Sequence, residues 1–93
     1  GGKSFHGTVG DSTGAPGNTT LNTVTGKSAI ASTATTMTLT NSNIASTSLL
    51  HITPLDIDAT ATEWKYSVSD GVGTITVNAA ATATWKFSWQ VIN

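Results

Sequence analysis

The stretch TWKFSWQVI, residues 84–92, decides how this chain folds. Trp85, Phe87, Trp89 and Val91 alternate with Lys86, Ser88, Gln90 and Ile92. In an extended strand successive side chains point to opposite faces, so this spacing gathers four large apolar groups on one side. A helix would scatter them, because residues two apart do not share a helical face. Such a strand needs a second apolar layer to pack against.

The neighbouring segments supply it. In residues 63–69, Trp64, Tyr66 and Val68 fall on one face, with Lys65, Ser67 and Ser69 on the other. A tight turn at Asp70-Gly71-Val72-Gly73 leads into residues 74–78, where Ile75 and Val77 point inward. Residues 79–83 read as a small-residue loop or a single helical turn. Residues 35–40 set Met37 and Leu39 against Thr36, Thr38 and Thr40, and Asn41-Ser42-Asn43 ends them. Residues 48–54 stop at Pro54, which has no ladder donor. A first strand over residues 19–24, a turn at Thr25-Gly26 and a weak strand over residues 28–32 complete the series. Six or seven short strands with no helical segment predict an all-β fold, an antiparallel β-sandwich or jelly-roll-like barrel. The period-2 aromatics are expected in the core rather than on a ligand platform.

Composition narrows the function. At 93 residues the chain holds one domain. There is no cysteine for a disulfide, and His6 and His51 alone make no Cys/His zinc pattern. Charged residues are 10% of the chain, where soluble domains average about 25%. Lys3, Lys27, Lys65 and Lys86 are the only cations, which excludes the basic patch that nucleic acid requires. Nineteen threonines and ten serines take the place of charge on the surface. Threonine suits a pleated sheet, and a hydroxyl surface suits subunits that pack together. No apolar run approaches the length of a membrane span.

Six of the nine glycines lie in residues 1–18, which read as a linker or attachment arm preceding a β-domain over residues 19–93. A collagen-like glycine step at residues 7–17 loses phase at Asp11-Ser12-Thr13. Gly1-Gly2-Lys3 has no signal-peptide character and reads as a fragment boundary.

Catalytic constellations are weak. His51 with an aspartate and a serine lacks a G-x-S-x-G elbow and reads as a partly buried structural histidine. Asp56-Ile57-Asp58 lacks the spacing of a calcium loop and fits a turn cap better. Glu63 with Asp56 or Asp58 has too small a chain around it for a glycosidase cleft. Asn18-Thr19-Thr20 is a glycosylation sequon with no secretory context. No catalytic, cofactor or metal residues are assigned. In residues 48–54 both faces carry apolar groups, so Leu49, Leu50, His51 and Ile52 belong to a central strand or to a subunit interface.

Residues 26–93 resemble the distal β-domains of bacteriophage tail-fibre, head-fibre and related virion proteins. The resemblance is carried by the TMTLTNS strand end (residues 36–42), SLLHITP (48–54), DGVGTITVNAAATA (70–83) and the terminal WQVIN (89–93). It implies a trimeric β-sandwich on the virion surface, attached through its N-terminal side, with no catalytic residues to carry over. Its partners would be its own copies, the rest of the appendage and a host-surface glycan or protein. A capsid decoration trimer is a second expectation, and a carbohydrate-binding module from a secreted enzyme a third. If strand faces serve the core and subunit packing, recognition falls to loops. The candidates are residues 54–62, with Asp56, Asp58, Thr60 and Thr62, and residues 79–83.

Overall fold

Strand β8 (Trp85–Ile92) lies inside a four-stranded sheet, flanked by β3 (Thr25–Ile30) and β5 (Leu49–Pro54), both antiparallel to it. The computed structural model describes residues 9–93, and β1 (Val9–Asp11) adds to the outer side of β3 in parallel. The second sheet repeats the plan. β7 (Val72–Val77) lies between β4 (Thr36–Thr40) and β6 (Trp64–Ser69), and β2 (Thr19–Thr20) runs parallel to β4. Each sheet is therefore mixed, with antiparallel pairs inside and one short parallel strand at an edge. The architecture is a sandwich of two separate sheets, and the described residues contain no helix.

The alternation of β8 holds. Trp85, Phe87, Trp89 and Val91 are buried, and Met37, Leu39, Ile75 and Val77 from the second sheet meet them. At β6 the same alternation gives a different outcome. Its register puts Trp64 and Tyr66 opposite inward-facing Val77 and Ile75, yet Trp64 is 42% exposed and Tyr66 and Val68 are half-buried. β6 is an edge strand, so the other sheet covers its inner face only in part. Trp64 is thus not the core residue that its spacing suggests.

Three boundaries also differ from expectation. The expected strand over residues 19–24 shrinks to Thr19–Thr20. Thr25 and Gly26 form no turn; they pair with Gln90 and Trp89 inside β3. The hairpin between β6 and β7 turns on Asp70 and Gly71 alone, with Gly71 at φ 81°, and Val72 and Gly73 already belong to the strand. Both misread glycines sit where a neighbour leaves no room for a side chain. A Cβ on Gly26 would lie 2.5 Å from the Trp89 ring, and one on Gly73 would lie 2.7 Å from Leu50. Glycine marks close approach here, not a bend.

Residues 9–18, within the segment whose glycine content suggests a linker, contain β1 and a loop that crosses from the first sheet to the second. The remainder of that segment, residues 1–8, lies outside the described residues. The crossing is pinned at several points. Ser12 N–H donates to Lys27 O at 2.9 Å, Gly17 N–H to Ala29 O at 2.8 Å, and Thr38 N–H to the Asn18 side chain at 2.8 Å. In the core, Trp89 Nε1–H donates to Ser28 Oγ at 3.0 Å, and Ser12 Oγ–H donates to the same oxygen at 2.9 Å. One flank of the sandwich is thereby closed. On the other flank β5 and β6 are edge strands among the described residues.

The sandwich has two distinct ends. Val9 pairs with Thr25 and Leu49 with Ile92 at one of them, where Asn93 also hydrogen-bonds Asn43 O at 3.1 Å. The opposite end carries Trp85, the loop after β5 and the loop before β8, about 23 Å away at the rise of an extended strand. Gly26→Ala should lose about 1–3 kcal/mol in a denaturant melt, because its Cβ strikes the Trp89 ring. Gly14→Ala, with open space around it, should change stability by less than about 1 kcal/mol.

Candidate functional site

The two loops nominated for recognition meet at the end of the sandwich remote from Asn93. Asp58 joins them. Its Oδ2 accepts the N–H groups of Thr60 and Ala61, each at 3.0 Å, while its Oδ1 accepts Thr82 N–H at 3.0 Å and Thr82 Oγ1–H at 2.7 Å. The Thr60 hydroxyl adds a bond to Ala80 O. Asp56 extends the β5–β8 ladder beyond Pro54. Leu55 N–H donates to Lys86 O at 2.8 Å, and Lys86 N–H donates back to Asp56 Oδ2 at 2.9 Å. On the far side of the loop, Asn78 Oδ1 accepts from Thr62 N–H and Glu63 N–H at 2.9 and 3.0 Å.

These carboxylates are occupied by their own loop. Backbone and threonine donors hold the Asp58 carboxyl well below the usual aspartate range, the Ala61 N–H and Thr82 hydroxyl foremost. Among the described residues no group of three or more His, Cys, Asp or Glu side chains is arranged to hold a metal. Asp56 and Asp58 therefore shape the loop, and the exposed side chains between and around them include Leu55, Ile57, Thr60 and Thr62. Ile57, between the two aspartates, is fully exposed.

The other nominated residues are divided by the pleat. Leu50 and Ile52 are buried in the core, whereas Leu49 and His51 point outward from an edge strand. His51 is exposed rather than partly buried, and its cross-strand partner on the outer face is Gln90. No nucleophile–base–acid arrangement forms around it among the described hydrogen bonds. Leu49 and Ile92 are cross-strand partners, 56% and 43% exposed, and together they form an apolar step on the outer face.

Trp64 is the feature that sequence reasoning missed. It opens β6 immediately after the Asp58 loop, and its ring lies 6.1 Å from that of Trp85, tilted by 44°. Trp85 in turn lies 5.5 Å from Phe87, so an aromatic series runs from the core to the surface. Three hollows adjoin Trp64. One of about 320 Å³ is lined by Glu63, Lys65, Thr76 and Asn78, one of about 300 Å³ by Ile57 and Thr62, and one of about 360 Å³ by His51 and Tyr66. A fourth, about 630 Å³, lies on the other side of Ile57 against residues 13–16. Period-2 alternation identifies the face of a strand but not whether another sheet covers it, and no local signal distinguished β6 from an inner strand. Compared with family models, with curated proteins and with solved structures, the chain matches none of them.

Asp58 has a consequence for acid stability. Its folded pKa lies below the unfolded value of 3.8, so its contribution is complete above that value and fades as the pH falls toward the folded one. Asp11, lowered by the hydroxyl and N–H of Thr13, has the same sign. Melts at decreasing pH should show stability falling below about pH 4. Asp58→Asn should melt lower at neutral pH and show a weaker pH dependence.

Proposed function

We propose that this chain is a non-catalytic structural module of a virion surface appendage, assembled as a homotrimer and presenting its loop end to the host surface. The observation that carries this reading is the polarity of the sandwich. Val9 and Asn93, together with the apolar step of Leu49 and Ile92, lie at one end. The loops around Asp58, Ile57 and Trp64 gather at the other. A module attached through its N-terminal side would thus hold the loop end outward.

Low charge supports the assembly. With 10% charged residues, the outer faces offer hydroxyls and isolated apolar groups to a neighbour, with little like-charge repulsion. Among the described residues β5 is an edge strand, and Leu49, His51 and Ile92 lie on its outward side or beside it. Such an edge invites pairing unless it is covered, and a neighbouring copy covers it. Threefold symmetry agrees with the resemblance to fibre domains. It would present each recognition loop three times, so weak single contacts gain from avidity.

Light scattering of the purified chain at micromolar concentration should give three times the mass of one chain. Leu49→Lys combined with Ile92→Lys should reduce that mass to a monomer, while circular dichroism retains the all-β signature. A monomeric wild-type chain would remove the assembly from this proposal.

A further inference from the structure

We infer, resting on the reading of the chain as a trimer with its axis along the strands, that β5 of each copy pairs in antiparallel with β6 of the next. Among the described residues β5 and β6 are the edge strands of the two sheets on one flank of the sandwich. That flank is incompletely covered. Trp64, Tyr66 and Val68 form the inward row of β6, yet Trp64 is 42% exposed and the other two are half-buried. Hollows of about 300 and 360 Å³ open along the flank, and Trp64 lines both. Three such flanks facing a common axis would complete one another's cores.

The backbone of both edges fits this pairing. Leu55 N–H points to Lys86 O, so Thr53 and His51 also face β8, while Leu50, Ile52 and Pro54 face away from it. Asn78 N–H donates to Glu63 O, so Lys65 and Ser67 face β7, while Trp64, Tyr66 and Val68 face away. Pro54 alone lacks a donor there, as a proline on an edge can. β5 runs toward the loop end and β6 back toward the end of Asn93. Rotation about an axis along the strands changes neither direction nor height, so β5 meets a neighbour's β6 antiparallel and level. Within one copy Leu50 lies against Gly73, the cross-strand partner of Val68. Ile52 shares a hollow with Tyr66, and Pro54 shares one with Trp64. The level rungs are therefore Leu50 with Val68, Ile52 with Tyr66 and Pro54 with Trp64 of the neighbouring copy. These are the residues whose backbone groups face outward on each edge. The intervening rungs set Leu49 beside Ser69, His51 beside Ser67 and Thr53 beside Lys65, so no like charges oppose each other. The two edges differ, which makes the contact heterologous, the kind that closes a threefold ring. Leu49, Leu55, Ile57 and Trp64, four of the six exposed large apolar side chains among the described residues, lie on these strands or the loop between them. They expose on the order of 500 Å² together, comparable with the apolar part of the roughly 800 Å² that each partner brings to a standard interface.

Cysteine cross-linking tests the pairing in a chain that has no cysteine of its own, through His51→Cys combined with Ser67→Cys. Both positions are exposed, and within one copy they lie on opposite outer faces of the sandwich, out of each other's reach. Across the proposed contact they are directly opposite in a non-hydrogen-bonded pair, with Cβ atoms about 4.5 Å apart. Oxidation of the double variant with copper–phenanthroline should give a band of three chains on a non-reducing gel, reversed by dithiothreitol. Each single variant should give no cross-link. Light scattering before oxidation reads the assembly independently. A trimeric mass without the cross-link overturns this interface and leaves the trimer standing, whereas a monomeric mass overturns both. Dimers formed by either single variant also overturn it, because like edges would then pair across a twofold axis. Products longer than three chains overturn the closed ring.

Discussion

A tryptophan N–H buried in an apolar core must find an acceptor, and here the whole first sheet is arranged around that need. Trp89 supplies the donor and Ser28 the acceptor, at 3.0 Å and fully buried. The indole reaches Ser28 across β3, which is possible only because Gly26 presents no side chain beneath the ring. Ser28 Oγ also accepts from Ser12, so the same oxygen ties the N-terminal crossing to the centre of the fold. Removing the Ser28 hydroxyl would leave two buried donors unpaired, and each such loss costs about 1–3 kcal/mol. Ser28 thus links Trp89 of β8 to Ser12 beyond β1, and Gly26 leaves the room that both the indole and the Gly10 carbonyl of β1 need.

Elsewhere, short polar side chains act as extensions of the backbone. Asn41, fully buried, donates to Thr23 O at 2.6 Å and accepts Asn43 N–H at 2.8 Å, which fixes the turn leaving β4. Ser48 accepts Ala45 N–H at 2.8 Å and also bonds the Asn93 side chain. Asp70 accepts Ser46 N–H at 2.8 Å, and Asp58 and Asn78 play the same part at the other end. Among the described residues no buried side-chain nitrogen or oxygen lacks a partner. The wealth of Ser, Thr and Asn is therefore partly structural: these residues close loops that a cysteine-free chain has no covalent means to close.

The all-β class, the inward ridge of β8 and the loops that precede β6 and β8 were legible in the sequence because each depends on local alternation or turn chemistry. What was not legible depends on partners distant in sequence. Gly26 reads as a turn until Trp89 is known to cross it. Trp64 reads as core until β6 is known to be an edge. The parallel additions of β1 and β2 involve three and two residues, too few for any periodicity to register. Leu49, Leu50, His51 and Ile52 are contiguous in sequence, but the pleat sends alternate members to opposite faces. Asp56 and Asp58 were legible as turn caps, while the isoleucine between them passed unremarked although it is the residue the caps hold out.

The direction in which β1 enters the molecule bears on how the module would carry load. From Val9 to Asp11 the chain runs alongside β3 and away from the end where Asn93 lies. A pull on residue 9 along the long axis of the strands therefore acts parallel to β1, and the bonds between β1 and β3 resist together in shear instead of parting one by one. If β1 yields, the strain passes to Ser12 and from there to Ser28 and the Trp89 indole. A short strand at the rim thus acts as a mechanical clamp, anchored to the most deeply buried polar group of the sheet.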